Sequence, residues 1–186
     1  MLRLKKRPPK GWTLVYGDES DVSLNPLLGR VWHRKGKSYQ VTGAGKNYKV
    51  HVFGALNTKT GRVTYLIFRR KRSVEFLEFL KHLLKQYRRW KIYLVLDNFK
   101  IHDTKIIRDF IKKQRKRLRI VWLPTYSPYL NLIERFWRYM KDQTVRNYFF
   151  KDVVKLIQAL NGFFKRYHDD PRISIMFEEH KICKAA

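Results

Sequence analysis

Cysteine is nearly missing from this sequence, and acidic side chains are scarce. The one cysteine, Cys183, lies near the C-terminus. Its isolation excludes a disulfide framework and a cysteine-based zinc site. No apolar run approaches the ~20 residues that a helix needs to cross a bilayer. The opening MLRLKKRPPK is basic but has no apolar stretch behind it, which excludes a secretory signal. There is no internal repeat and no low-complexity block beyond the basic clusters.

What is present in excess is positive charge. Among 186 residues, 42 Lys and Arg stand against 15 Asp and Glu, a formal charge of +27. A chain that is 44% hydrophobic and 15% aromatic has enough apolar surface to fold, so the charge does not signal disorder. A field of this size makes sense opposite a polyanion. Nucleic acid fits best, because phosphate neutralisation supplies most sequence-independent affinity. An anionic membrane fits less well, since the basic residues are spread over the whole chain and not along one amphipathic face. A soluble, cytoplasmic, DNA-associated protein without a membrane partner is the expectation.

The patterning predicts one α/β domain. Trp12 to Gly17 reads as a short apolar strand ending on Asp18, and residues 19–46 as polar loop with possible short strands in RVWHRKGKSYQV. Tyr48 to Leu56 and Arg62 to Arg69 have strand composition, with NTKTG as a hairpin loop between them. Ser73 suits a helix cap ahead of the stripe Phe76, Leu80, Leu83, Leu84 and Tyr87. Ile92 to Leu96 is apolar throughout, like a strand covered on both faces, and ends on Asp97. Ile106, Ile107, Phe110, Ile111 and Gln114 set out a second helix closed by the cations of KKQRKR. Ile120 to Leu123 is a further strand, with Pro124 to Pro128 as its exit turn. Two more helices carry Ile133, Phe136, Trp137 and Met140, then Val153, Leu156, Ile157, Leu160, Phe163, Phe164 and Tyr167. A hairpin followed by β–α alternation gives a mixed sheet with a parallel part flanked by helices.

With so few acids, their positions are informative. Asp18 and Asp97 each follow a strand that reads as buried, and in open α/β sheets ligands bind beyond the carboxyl ends of parallel strands. Two neighbouring carboxylates there raise each other's pKa or recruit a cation. Oxygen donors without a His or Cys cluster favour Mg2+ or Mn2+ over zinc. Local readings compete with this one. Asp commonly starts turns, and Asp97-Asn98 is a natural turn pair. Glu134 has two local roles open to it: a capping box with Asn131 as N-cap, and an ion pair with Arg138 four residues on. Helical arithmetic sets Glu134 beside the buried stripe, on a helix that starts near the same rim. Three carboxylates holding two hard cations about 4 Å apart suit in-line displacement at phosphorus.

The blocks YGDES, VFGAL, LVLDNFKIH and LPTYSPYLNLIERFW, in that order, resemble the DDE transposases of the mariner superfamily, especially the prokaryotic insertion-sequence branch. The resemblance runs from about Gly11 to Tyr167. It implies a ribonuclease H-like α/β fold, a mixed five-stranded sheet flanked by helices, over residues 11–168. Residues 1–10 would then be a basic extension and 169–186 a tail. It implies catalytic, metal-holding roles for Asp18, Asp97 and Glu134, with two Mg2+ per site and Mn2+ able to substitute. Asn98, Lys100, His102, Asn131 and Arg138 are implied as supporting or DNA-contacting residues, while Glu19 and Asp21, which flank the first acid, rank below it as ligands. For His102, packing or capping at a helix start is an equal alternative. The implied activity is water-mediated cleavage of double-stranded DNA at transposon ends, then attack of the freed 3′-hydroxyl on target DNA. A homodimer on DNA is the implied assembly. Family members carry N-terminal helix-turn-helix modules, and little chain precedes Asp18, so a separately encoded DNA-recognition portion is an expected partner. A ribonuclease H-like nuclease without strand transfer, and a catalytically decayed basic DNA-binding protein, are the rival readings.

Overall fold

A computed structural model describes residues 8–30, 32, 34–36, 40–43, 48–124 and 130–170. Five strands alternate with helices along the chain: β1 (Trp12–Ser23), β2 (Lys49–Asn57), β3 (Val63–Phe68), α1 (Ser73–Gln86), β4 (Lys91–Leu96), α2 (Lys105–Lys113), β5 (Leu118–Trp122), α3 (Ile133–Thr144) and α4 (Val153–Asp169). A 3-10 turn, Lys100–Asp103, lies between β4 and α2. The sheet runs β3-β2-β1-β4-β5. β1 pairs antiparallel with β2 and parallel with β4, β2 pairs antiparallel with β3, and β4 parallel with β5. This is the mixed sheet expected from the hairpin and the β–α alternation.

Period-two alternation splits the core into two layers. Leu14, Tyr16, Val50, Val52, Leu56, Tyr93 and Val95 face α3 and α4, against Ile133, Phe136, Trp137, Met140, Leu160, Phe164 and Tyr167. Val15, Phe53, Ala55, Ile92, Leu94 and Leu96 face α1 and α2, against Phe76, Phe79, Leu80, Leu83 and Ile107. Both faces of the central strands are therefore covered, which explains why β4 is apolar at every position from Ile92.

Several expectations are corrected. β1 does not stop at Gly17. It continues through DESDVS to Ser23, because the antiparallel ladder with β2 runs on from Asp18↔Gly54 to Ser23↔Lys49. Polar residues there have backbone partners on one side, so their composition does not end the strand. Arg72, not Ser73, is the N-cap of α1, and its guanidinium pairs with Glu75 without a side-chain cap bond. Ile106 is exposed, because α2 turns Ile107 inward instead. β5 begins at Leu118, ahead of Ile120, since Leu118 already pairs with Ile92. The exit turn through Pro128 and the tail with Cys183 lie outside the described residues.

The hairpin turn between β2 and β3 forms as composed. Asn57 accepts from the Lys59 N–H through its side chain, and Gly61 takes φ +68°. No helix among the described residues is long and apolar enough to cross a membrane.

Phe164 is fully buried and its ring stacks on Tyr65 at 3.5 Å between centroids, joining α4 to β3. Replacing Phe164 with Ala should cost about 3–5 kcal/mol of unfolding free energy, measured by urea denaturation. A loss under about 1 kcal/mol would mean that α4 does not pack here.

Candidate active site

Strand register sets the first two carboxylates. β1 and β4 run parallel with Tyr16 opposite Val95 as the last pair, so two residues further Asp18 comes level with Asp97. By alternation Asp18 follows Leu14 and Tyr16 onto the face covered by α3, while Asp97, just past the end of β4, turns its carboxylate to His102. Gly17 and Glu19 take the opposite face with Val15. The acids therefore sort onto two sides of one rim.

Helix α3 grips β1 at this point. The Asn131 amide donates to the Gly17 carbonyl at 3.1 Å, and the Trp137 indole N–H donates to Asp18 Oδ2 at 3.1 Å. The capping box is not formed: Leu132 is the N-cap and makes no side-chain cap bond. Asn131 is 4% exposed, and its Oδ1 has no partner among the described residues. Glu134 stands exposed in the first turn of α3. It forms no ion pair with Arg138 among the described residues; Arg138 is itself exposed one turn on. Both local roles proposed for Glu134 are thus unfilled.

On the other face, His102 is buried and spans two acids. Its Nε2 lies 2.8 Å from Glu19 Oε1, and its Nδ1 lies 3.1 Å from Asp97 Oδ1 and 3.2 Å from the Asp97 carbonyl. Since carboxylates only accept, both ring nitrogens donate and the ring is an imidazolium. Burial alone would lower its pKa, but the hydrogen bonds to Asp97 and Glu19 and the Glu19 charge raise it to about 10. The Phe76 ring, 4.5 Å away between centroids, closes the pocket. The same bond from His102, with its charge, holds the Asp97 carboxyl below the ordinary range despite desolvation. Asn98 donates to the Leu123 carbonyl at 3.3 Å and so ties the Asp97 loop to the end of β5. Lys100 is exposed on the 3-10 turn.

Asp18 behaves in the opposite way. Burial, then the neighbouring charges of Glu19, Glu134 and Asp97, push its carboxyl well above the ordinary range. Asp21 belongs to a separate group: burial is outweighed by His51 at 2.8 Å, Lys49 at 3.0 Å and Lys71, which lower it to about 2. Asp21 is thus already neutralised by protein cations, while Asp18 is not.

That contrast tests the fit of a divalent cation. The acids at the rim are hard oxygen donors, and the raised Asp18 reflects burial first and then the charges of Glu19, Glu134 and Asp97, a setting that a cation would relieve. Among the described residues no three His, Cys, Asp or Glu side chains are gathered closely enough to enclose an ion. Asp18, Asp97 and Glu134 thus share a rim and its electrostatics without being closed around one point. Sequence reasoning set Glu19 aside and counted Trp137 only as core. The signal for Glu19 was its odd-numbered offset from Asp18, which turns it to the face where His102 lies. Trp137 carried no sequence signal beyond its helical spacing.

These features define a class first: a ribonuclease H-like α/β domain with a carboxylate rim at the ends of its central parallel strands. A family model described as DDE superfamily endonuclease matches residues 13–157, and the chain belongs to that family. The insertion element IS630 uncharacterized 39 kDa protein of Shigella sonnei is 34% identical over 153 residues, 82% of this chain. The chain covers 44% of that relative and so spans less than half its length. The solved Mos1 transposase paired-end complex with left transposon end is similar with TM-score 0.72 at 14% identity, over 97% of this chain and 55% of that one. The catalytic domain of Mos1 mariner transposase matches with TM-score 0.63 at 14% identity, over 95% and 79% respectively. At such identities the structural likeness is one of fold.

Two pH-linked outcomes follow from the site. Because the folded Asp18 ionises later than the unfolded one, stability falls as pH rises through the ordinary carboxylate pKa, and the loss is complete above the raised one. Asp18→Asn should therefore have a higher Tm than wild type at pH 7 in EDTA, and the gap should close below the ordinary carboxylate pKa. For His102 the sign is reversed. Its stabilisation is complete below 6.5 and is lost as pH rises towards about 10. The urea midpoint of wild type should approach that of His102→Gln over this window; a constant difference would contradict the imidazolium bridge.

Proposed function

We propose that this chain is the catalytic unit, residues 11–168, of an insertion-sequence transposase. In this reading it cleaves DNA at transposon ends and joins the freed 3′-hydroxyl to target DNA. The observation that carries the reading is the sharing of one rim by Asp18, Asp97 and Glu134, with Asp18 buried beside the charges of the other two. Family membership and the fold likeness to transposase complexes support it.

Asp18, Asp97 and Glu134 would hold two Mg2+ ions, with Mn2+ as substitute, and Asn131 Oδ1 is a further oxygen within the same helix start. When bound, these ions would supply Lewis-acid activation of the attacking oxygen and charge stabilisation at the leaving one. The related Mos1 mariner paired-end complexes solved with Mg and with Mn support that choice of metal. The protein's own residues do the positioning. His102 fixes Asp97 and balances Glu19, so that the buried fourth carboxylate does not compete for the cation. The excess of Lys and Arg neutralises phosphates along the duplex and concentrates DNA at the rim. In cleavage, a water oxygen forms the new bond to phosphorus as the 3′ oxygen leaves. In joining, that 3′-hydroxyl forms a P–O bond while one P–O bond of the target breaks, so no external energy source is needed.

Mos1 neighbours described as a paired-end complex and a strand transfer complex support a homodimer acting on two DNA ends. The share of the relative left uncovered leaves room for a helix-turn-helix portion supplied elsewhere.

The test is nicking and joining of a duplex carrying the element's inverted repeats, in Mg2+ or Mn2+. Wild type should cut and join. Asp97→Asn and Glu134→Gln should lose at least about 100-fold of the cleavage rate, as loss of transition-state charge stabilisation does, with unchanged DNA affinity. Equal cleavage by all three would refute the site, and cleavage without joined products would identify a nuclease.

A further inference from the structure

Asp18 lies directly opposite Gly54 in the β1–β2 ladder. Directly opposed cross-strand residues share a face, so the missing side chain of Gly54 leaves a gap beside the Asp18 carboxylate. The indole of Trp137 fills that gap. A Cβ placed on Gly54 would lie 2.4 Å from Trp137 Cη2 and 2.9 Å from Cζ2, closer than real carbon contacts allow. Ile133 Cδ1 is next, at 3.4 Å. The obstructing group is a rigid ring, not the end of a flexible chain. Phe136 packs on it at 5.4 Å between centroids, and Trp137 is only 2% exposed.

From the same edge of the ring, Nε1, joined through Cε2 to Cζ2, donates to Asp18 Oδ2 at 3.1 Å. An indole N–H is a donor only, so it presents hydrogen to the carboxylate at every pH. Any displacement of the ring by a side chain at position 54 therefore moves the donor away from Asp18. Core packing alone would ask for a bulky apolar side chain at 137. It would not ask for a polar atom aimed at the carboxylate, nor for a glycine across the ladder.

We infer that Trp137 is a positioning residue for Asp18, and that residue 54 is glycine so that the indole can reach the carboxylate. This rests on the reading of Asp18 as a working carboxylate of the site. One oxygen is then held by the indole from α3, which limits rotation of the side chain and fixes how the acid is presented at the rim. Outer-sphere hydrogen bonds of this kind orient ligands and tune their affinity.

Three variants test it: Trp137→Phe, which keeps an aromatic ring but removes the N–H; Gly54→Ala, which keeps the N–H but pushes the ring; and the double variant. Mn2+-dependent nicking by Trp137→Phe should fall, or its half-saturating Mn2+ concentration rise, by about 10-fold or more, with unchanged DNA affinity. Gly54→Ala should show a similar loss. In the Trp137→Phe background, the Gly54→Ala penalty should vanish, because the shorter ring no longer reaches position 54 and the hydrogen bond is already gone. Additive penalties, or wild-type metal dependence in Trp137→Phe, would overturn the inference. A second readout does not depend on catalysis. The indole N–H resonance missing from Trp137→Phe should shift in wild-type protein when Asp18→Ala or Gly54→Ala is introduced. A resonance indifferent to both would overturn the hydrogen bond outright. Failure of wild type to cut DNA would count against the proposed function, with the resonance still deciding the link between Trp137 and Asp18.

Discussion

The parallel pairing of β1 with β4 organises everything else in this domain. It places two strands side by side that both point their carboxyl ends to one rim, with Tyr16 opposite Val95. A one-residue slip would turn Asp18 to the opposite face of the sheet, away from Trp137 and α3, since side chains alternate. The register is held by burial on both faces. Tyr16 and Val95 belong to the layer under α3 and α4, while Val15 and Leu94 belong to the layer under α1 and α2. A slip would exchange these two layers, so the hydrophobic effect that folds the domain also fixes the spacing of the acids.

Once the acids are set, the sheet separates their roles. Glu19 and Asp97 are bridged by the buried imidazolium of His102. Among the described residues Asp18 is held by the indole N–H of Trp137 and a backbone hydrogen bond, and burial with three like charges raises its carboxyl. Among the described residues no Lys or Arg is paired with Asp18, in a chain whose net charge is +27. Among the described residues most Lys and Arg are exposed, where the proposed function would have them attract DNA phosphates, while the clustered acids stand at the rim where a divalent cation would be useful. Asp21 shows the alternative outcome a few residues away, where two nearby lysines and a histidine leave its carboxylate fully compensated.

Family membership and fold likeness agree on this architecture, and they set the scale of the chain. A chain spanning less than half of its insertion-element relative can contain the sheet, the rim and the helices around it. The proposed site draws on β1, β2, β4, the turn after β4 and the start of α3. These elements are contributed by four ordered sequence blocks, which is why the resemblance was concentrated in them.

Much of the fold was legible from composition and periodicity alone. Ile92–Leu96 announced a strand covered on both faces, the stripe from Leu156 to Tyr167 announced a buried helix face, and NTKTG announced a hairpin turn. Asp18, Asp97 and Glu134 stood out because acids are rare in this chain. Other features were illegible because they depend on partners distant in sequence. DESDVS looked like a loop, and only its ladder with β2 makes it strand. Asn131 fitted a helix cap, yet its amide is taken by the Gly17 carbonyl on another element. Sequence by itself determined which residues would be buried and which rare acids were available, because these follow from local hydrophobic pattern and charge count. Only the tertiary structure decided that His102 would bridge Glu19 and Asp97, and that Gly54 would make room for Trp137 beside Asp18. Those pairings are set by strand register and helix docking, which bring together side chains that no local spacing relates.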